Sequence, residues 1–256
     1  MARSNKKLSD LIGLRKYPAS EKKFSEAVLF VHFFDGSPLL IKRHIDYVNS
    51  LGYDAYAYQV GFHLSKRSPI DLVRSRMRLG LKSLWTKDVT AALDEIPGNK
   101  IIYAFSNPAS AAIEAMAQRF NAGKRDVVTI LCDSGPFVDM LKCSYNLGKH
   151  YYKIKNPLLN LPASIAMTAI LSPFHEKNLH ADLKVFPNDY PILSIRGWKD
   201  ELVPVKSIEN VFKPHHQIDL QSLVLPEAGH LNGLKDFGDK YRPVVKSFLE
   251  SHSTPV

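Results

Sequence analysis

At 256 residues, with 45% apolar and 23% charged content, the chain can bury a full core as an ordinary soluble globular protein. Cys132 and Cys143 are the two cysteines; they form no CxxC zinc pattern and no disulfide framework, so a reducing, cytoplasmic location is expected. The net charge of +9 raises nucleic-acid binding, but the densest basic groups (residues 3–7 with Arg15-Lys16, Lys22-Lys23, and 74–78) are scattered and not interleaved with aromatics.

A solvated basic surface is therefore expected, with no nucleic-acid partner and at most weak association with an anionic membrane surface. The N-terminus is basic, but residues 8–14 are too short and too polar for a signal-peptide core. The apolar run 27–32 predicts a strand, ended by the loop signal Phe33-Phe34-Asp35-Gly36-Ser37-Pro38. An amphipathic helix over 38–51 is closed by Gly52, and a Tyr-rich strand over 54–60 follows. A long helix over 69–96 ends at Pro97-Gly98-Asn99. Strand 100–105, helix 109–121 and strand 126–132 come next, then the loop Asp133-Ser134-Gly135-Pro136.

Residues 137–188 break the alternation with helical or irregular, proline-punctuated chain. They hold its most apolar part, 157–174, where Asn160, Pro162, Ser164, Thr168, Ser172 and Pro173 argue against a spanning helix. Alternation resumes with strand 191–196, helix 204–212, strand 221–225 and a final helix over 234–250. Apolar strands alternating with helices predict a single α/β domain over 1–256, its central sheet mainly parallel and flanked by helices on both faces. Residues 137–188 read as a helical lid insertion over one end of that sheet. Ligands in such sheets sit beyond the carboxyl ends of the strands.

Three of those strand ends carry chemistry. Ser106 lies where strand 100–105 meets an alanine-rich helix; a serine on so sharp a turn holds its hydroxyl clear of the backbone, beside a helix N-terminus that favours negative charge. The plainer reading is Ser106 as the cap of that helix. Asp200, in Gly197-Trp198-Lys199-Asp200-Glu201-Leu202-Val203-Pro204, stands where a histidine-orienting acid would, or else caps the next helix. His230 follows the last strand beside Gly229, which lets the chain turn back over the sheet.

The order Ser…Asp…His, each beyond a strand end, is that of the α/β hydrolases. Gly-x-x-Asp-x-x-Val-Pro at 197–204 and Gly-His at 229–230 resemble the acid and histidine motifs of that superfamily over most of the chain, 27–249. His32 and its loop resemble the oxyanion segment. Phe-Ser-Asn at 105–107 with Asp-Ser-Gly-Pro at 133–136 resembles a branch of the superfamily whose motifs settle no substrate. The resemblance implies Ser106 as nucleophile, His230 as general base and acid, Asp200 as its orienting carboxylate, and backbone N–H groups of Phe33 and Asn107 as the oxyanion hole. Asp133 is a second candidate acid.

The elbow departs from G-x-S-x-G: it reads Ala104-Phe105-Ser106-Asn107-Pro108, and Phe33 replaces a customary glycine. Pro108 fits a first helical turn but biases Asn107 away from helical torsions. A catalytically silent scaffold with this fold is the alternative from another class. The expected activity is cleavage of a carboxylic ester with a small or medium acyl group through an acyl-serine, with no metal or organic cofactor; a thioesterase or peptidase would use the same machinery. Leu158, Leu159, Leu161, Ile165, Met167, Ile170 and Leu171 suggest an apolar acyl or alcohol group under the insertion, or simply its packing on the sheet.

Overall fold

The structure, a computed structural model, describes residues 13–60, 73–75 and 78–256. In chain order the elements are β1 (Arg15–Tyr17), β2 (Ala27–Val31), α1 (Lys42–Leu51), β3 (Asp54–Ala57), β4 (Val73–Ser75), β5 (Arg78–Leu79), α2 (Leu81–Glu95), β6 (Lys100–Phe105), α3 (Ala109–Asn121), β7 (Val127–Asp133) and α4 (Met140–Asn146). A π-helical turn (Leu147–Tyr151), α5 (Pro157–Leu171), α6 (His175–Leu183), β8 (Tyr190–Gly197), α7 (Val205–Phe212), β9 (Ile218–Leu225), α8 (Gly233–Asp236) and α9 (Gly238–Ser251) follow.

Seven strands form one sheet in the order β1-β3-β2-β6-β7-β8-β9. All neighbours run parallel except β1, which pairs antiparallel with β3 at the edge. Parallel strands need helices on both faces, and β2 and β6 are accordingly buried at every position. Side chains alternate between two cores. Leu29, Val31, Ile102, Ala104 and Ile130 pack against α2, α3, α6 and α7, whereas Val28, Phe30, Ile101, Tyr103 and Phe105 pack against α1 and α9. The mainly parallel, helix-flanked sheet expected from the sequence is the sheet observed.

Two local expectations change. The helix expected over 69–96 begins only at Leu81, preceded by the antiparallel β4–β5 pair; residues 69–72 and 76–77 lie outside the described residues. Gly80 turns the chain there with φ of 88°, and the position needs glycine because a β-carbon would meet the carbonyl oxygens of Ile170 and Leu171. Strand β1 was not foreseen, since Arg-Lys-Tyr carries no apolar run. The basic group at residues 3–7 also lies outside the described residues.

Candidate active site

Ser106 makes the turn from β6 into α3 with φ of 52°. A left-handed torsion costs a serine on the order of 1 kcal/mol, so the surroundings must impose it. They do so from both sides: the Ser106 N–H donates to the Asp133 carbonyl at 2.9 Å, and the Ser106 carbonyl accepts from the Ala109 N–H at 3.1 Å. The loop after β7 seats directly on this turn, and a β-carbon on Gly135 would lie 2.2 Å from the Ser106 carbonyl oxygen. The hydroxyl is not a helix cap, for α3 has no side-chain cap. Ser106 Oγ instead meets His230 Nε2 at 3.1 Å.

Asp200, buried in the loop after β8, divides its two oxygens between two tasks. Oδ1 accepts from the N–H groups of Leu202 and Val203, at 2.9 and 2.8 Å. Oδ2 stands 2.6 Å from His230 Nδ1. The backbone thus fixes the carboxylate while its second oxygen orients the imidazole. An ionised carboxylate only accepts, so Nδ1 carries the hydrogen and Nε2 presents its lone pair to the Ser106 hydroxyl. The ends of β6, β8 and β9 therefore bring Ser106, Asp200 and His230 into one hydrogen-bonded chain.

Asp133 does not join that chain. It accepts from Tyr241 Oη at 2.6 Å and from Ser134 Oγ at 3.0 Å, and has no hydrogen bond to His230. Burial pushes its carboxyl up to about 6, with the two hydroxyl donors pulling the other way. Ser134 Oγ in turn accepts from the Leu231 N–H at 3.2 Å, so Asp133 underpins the residue that follows the histidine. Tyr241 also meets the Tyr103 hydroxyl. His44, with Nε2 4.0 Å from Asp133, is pushed down to about 3 by burial and is neutral, packed against Tyr103, Phe105 and Tyr241. This buried support was not legible beforehand: its tyrosines read as strand and helix core.

His32 is buried at the end of β2, and burial pushes it down to about 4. As a neutral ring it accepts from the Val60 N–H at 2.8 Å through Nε2 and donates from Nδ1 to the Phe33 carbonyl, also at 2.8 Å. The Phe33 carbonyl accepts from Gly36 N–H as well, at 3.1 Å. Phe33 and Asn107 border the same cavity as Ser106 and His230. Among the described residues, no protein acceptor takes the backbone N–H of either.

That cavity holds about 290 Å³, at the small end for a ligand site. Phe34, Phe137, Met140, Leu147, Leu171 and Val203 make most of its wall apolar. Residues 137–188 thus border the cavity, but not through the side chains expected. Of the seven apolar residues singled out in 158–171, only Leu171 reaches it; Leu158, Leu159, Leu161, Ile165 and Ile170 are exposed, and Met167 packs on the core. The free thiols Cys132 and Cys143 are buried, Cys143 against the cavity. Among the described residues, no group of three His, Cys, Asp or Glu side chains is arranged as metal ligands.

No protein-family model matches the sequence, and no curated protein matches it. Solved structures resemble the chain over nearly its whole length. An esterase of Pyrococcus furiosus superposes with a TM-score of 0.66 at 14% identity, covering 96% of this chain and 94% of that one. A monoacylglycerol lipase of Paleococcus ferrophilus gives 0.57 at 15% identity, covering 94% and 99%. The mouse alpha/beta hydrolase domain-containing protein 10 gives 0.57 at 15% identity, covering 93% of each chain. With the sheet order and the strand-end loops already described, these likenesses show that the chain has the α/β-hydrolase fold.

Proposed function

We propose that this protein is a serine hydrolase that cleaves a carboxylic ester of small or medium acyl size through an acyl-serine intermediate. The observation that carries the reading is the unbroken Ser106–His230–Asp200 chain, at 3.1 and 2.6 Å, opening into a largely apolar cavity. Ser106 Oγ attacks the ester carbonyl carbon as its proton passes to His230 Nε2. The carbonyl oxygen becomes an oxyanion held by the N–H groups of Phe33 and Asn107, and Asp200 stabilises the imidazolium. Collapse breaks the ester bond, and the departing alkoxide takes the proton from His230. Water, deprotonated by the same imidazole, then attacks the acyl-serine and releases the acid and free Ser106. No metal or organic cofactor enters these steps. Residues 137–188 serve as a lid that shields the acyl-enzyme from bulk solvent.

A thioester or amide would pass through the same steps; the apolar wall and the modest volume favour an uncharged acyl ester. Covalent labelling with a fluorophosphonate tests the reading. The natural protein is expected to take up one label at Ser106, and Ser106→Ala and His230→Ala to take up none. With labelling established, p-nitrophenyl esters of increasing acyl length are expected to give a maximum at short or medium chains. A folded natural protein that takes no label overturns the reading in favour of a silent scaffold.

A further inference from the structure

Helix α5 is built inside out. At about 3.6 residues per turn, Asn160, Ser164, Thr168 and Leu171 share one face, and Leu158, Leu161, Ile165 and Ile170 fall outside it. The polar face is turned inward. Asn160 and Ser164 are buried, Asn160 Nδ2 donates to the Tyr145 carbonyl at 3.0 Å, and Thr168 Oγ1 donates to Ser144 Oγ at 3.2 Å. The aliphatic face is turned outward, with Leu158 82%, Leu159 64% and Ile165 54% exposed. Single exposed leucines are ordinary; a contiguous exposed stripe on one helix is not.

The segment that carries this stripe has charge of one sign. Between Met140 and Phe174 the chain carries Lys142, Lys149, Lys153 and Lys155 and no Asp or Glu. None of these lysines pairs with a carboxylate among the described residues. Lys142 borders the same surface groove as Leu141 and Leu161, with Asp139 at its edge, and Glu201 faces His150 at 3.1 Å, so the four lysines outnumber the neighbouring carboxylates rather than stand alone. Tyr151 and Tyr152, both exposed, stand just before the helix and also border the cavity at Ser106. Aliphatic side chains flanked by lysines and tyrosines match the hydrocarbon, anionic headgroup and interfacial layers of a bilayer in turn.

We infer that the outer face of α5 docks this protein on an anionic lipid surface, the helix lying in the plane of the interface. By length and composition the run Pro157–Leu183 could cross a bilayer. It does not form one rod: Ser172, Pro173 and Phe174 separate α5 from α6, and Leu179 and Leu183 of α6 are buried in the core. A second copy on the same face would set these lysines against their own equivalents across a two-fold axis, which disfavours it. Docking would bring the rim at Tyr151 and Tyr152 to the lipid surface, whatever the chemistry at Ser106.

The test is flotation with vesicles of phosphatidylcholine alone and of phosphatidylcholine with 30% phosphatidylserine (about 100 mM salt, within the range where surface charge acts). The full chain is expected to float with the anionic vesicles and to lose binding by at least about tenfold in Leu158→Glu/Ile165→Glu and in Lys153→Glu/Lys155→Glu. Circular dichroism and, if Ser106 is reactive, an unchanged fluorophosphonate labelling rate without lipid verify that both variants are folded. Equal flotation of the natural protein and the Leu158→Glu/Ile165→Glu variant overturns the inference. So does no flotation at all, including the case of a natural dimer that this variant converts to monomer. Failure of labelling would sink the hydrolase reading alone and leave the docking result standing.

Discussion

Asp200 and Asp133 are both buried carboxylates at strand ends, and their partners separate their roles. Asp200 touches the imidazole, so its replacement should be felt as reactivity. In Asp200→Asn the amide presents a donor where Nδ1–H needs an acceptor, and fluorophosphonate labelling of Ser106 should slow by roughly 10⁴-fold with the fold retained. A rate within tenfold of the natural protein would show that the Asp200 contact does not orient the base. Asp133 acts on stability instead. Burial raises its carboxyl from 3.8 to about 6, so folding takes up a proton between those values. Its neutral form is favoured in the folded chain, and its contribution, in full below pH 4, is lost as pH rises through 6. The window is worth roughly 3 kcal/mol, about 1.4 kcal/mol per unit. Urea unfolding of Asp133→Asn should therefore show the natural protein's advantage over the variant shrinking from pH 4 to pH 7. His44, lowered from 6.5 to about 3, gives up its proton on folding over the same window, but it does so in both proteins and so cancels from their difference. A constant difference would mean that Asp133 keeps one charge state throughout. The sequence displays Ser106, Asp200 and His230 because each follows an apolar strand beside turn residues. It hides the Tyr241–Asp133 bond because the partners are 108 residues apart and each alone reads as core or loop.

Among the elements, α2, α3 and α6 are joined by charge rather than by apolar packing alone. Arg78 Nη1 stands 3.0 Å from Glu114 Oε2 and Arg78 Nη2 2.6 Å from Asp182 Oδ1, while Lys82 Nζ lies 3.3 and 3.6 Å from the same two carboxylates. Two cations thus face two anions, with Lys82, Glu114 and Asp182 all buried. Balanced groups of this kind add little net stability when intact but are costly to break, because the survivor is left charged and unpaired. Asp182→Ala leaves two cations against Glu114 and should lose about 3 kcal/mol or more. At this chain length that lowers the melting temperature by roughly 6–12 °C. Differential scanning calorimetry reads it, and a shift below about 2 °C, under 1 kcal/mol, would show that water relieves the surviving charges. Arg78, the last residue of the basic stretch 74–78, read as solvated surface for a physical reason: its carboxylate partners come from α3 and α6, far along the chain. Helix α5 misled in the same way. Its composition announced an apolar segment, but only tertiary contacts decide which face of a helix is covered.

At the scale of the whole molecule, the site exists only when the sheet does. Phe33, Ser106, Ser134, Asp200 and His230 follow β2, β6, β7, β8 and β9, five strands hydrogen-bonded side by side in the order β2-β6-β7-β8-β9. Alternation of apolar strands and helices was enough to foresee this layout, because parallel strands oblige a helix between each pair and place every loop of one kind at one edge. Edge strand β1 escaped because its pairing with β3 stabilises three residues that are individually polar or aromatic. A site assembled from five adjacent strand ends has no local means of surviving the loss of the sheet. Its geometry also rests on left-handed torsions at Asp35, Ser106, Ser134 and Leu231, which only the assembled fold imposes. Reactivity of Ser106 should therefore disappear in urea together with the global transition, labelling and far-ultraviolet circular dichroism giving one midpoint. Labelling that fades well before the sheet unfolds would place the weak point in the segment around α4 and α5, which is held inward by a few apolar side chains (Met140, Cys143, Met167 and Leu171) and two side-chain hydrogen bonds. The same comparison with anionic vesicles present separates the two cases: a surface that holds the outer face of α5 would move the earlier midpoint upward towards the global one, whereas a coincident pair would rise together.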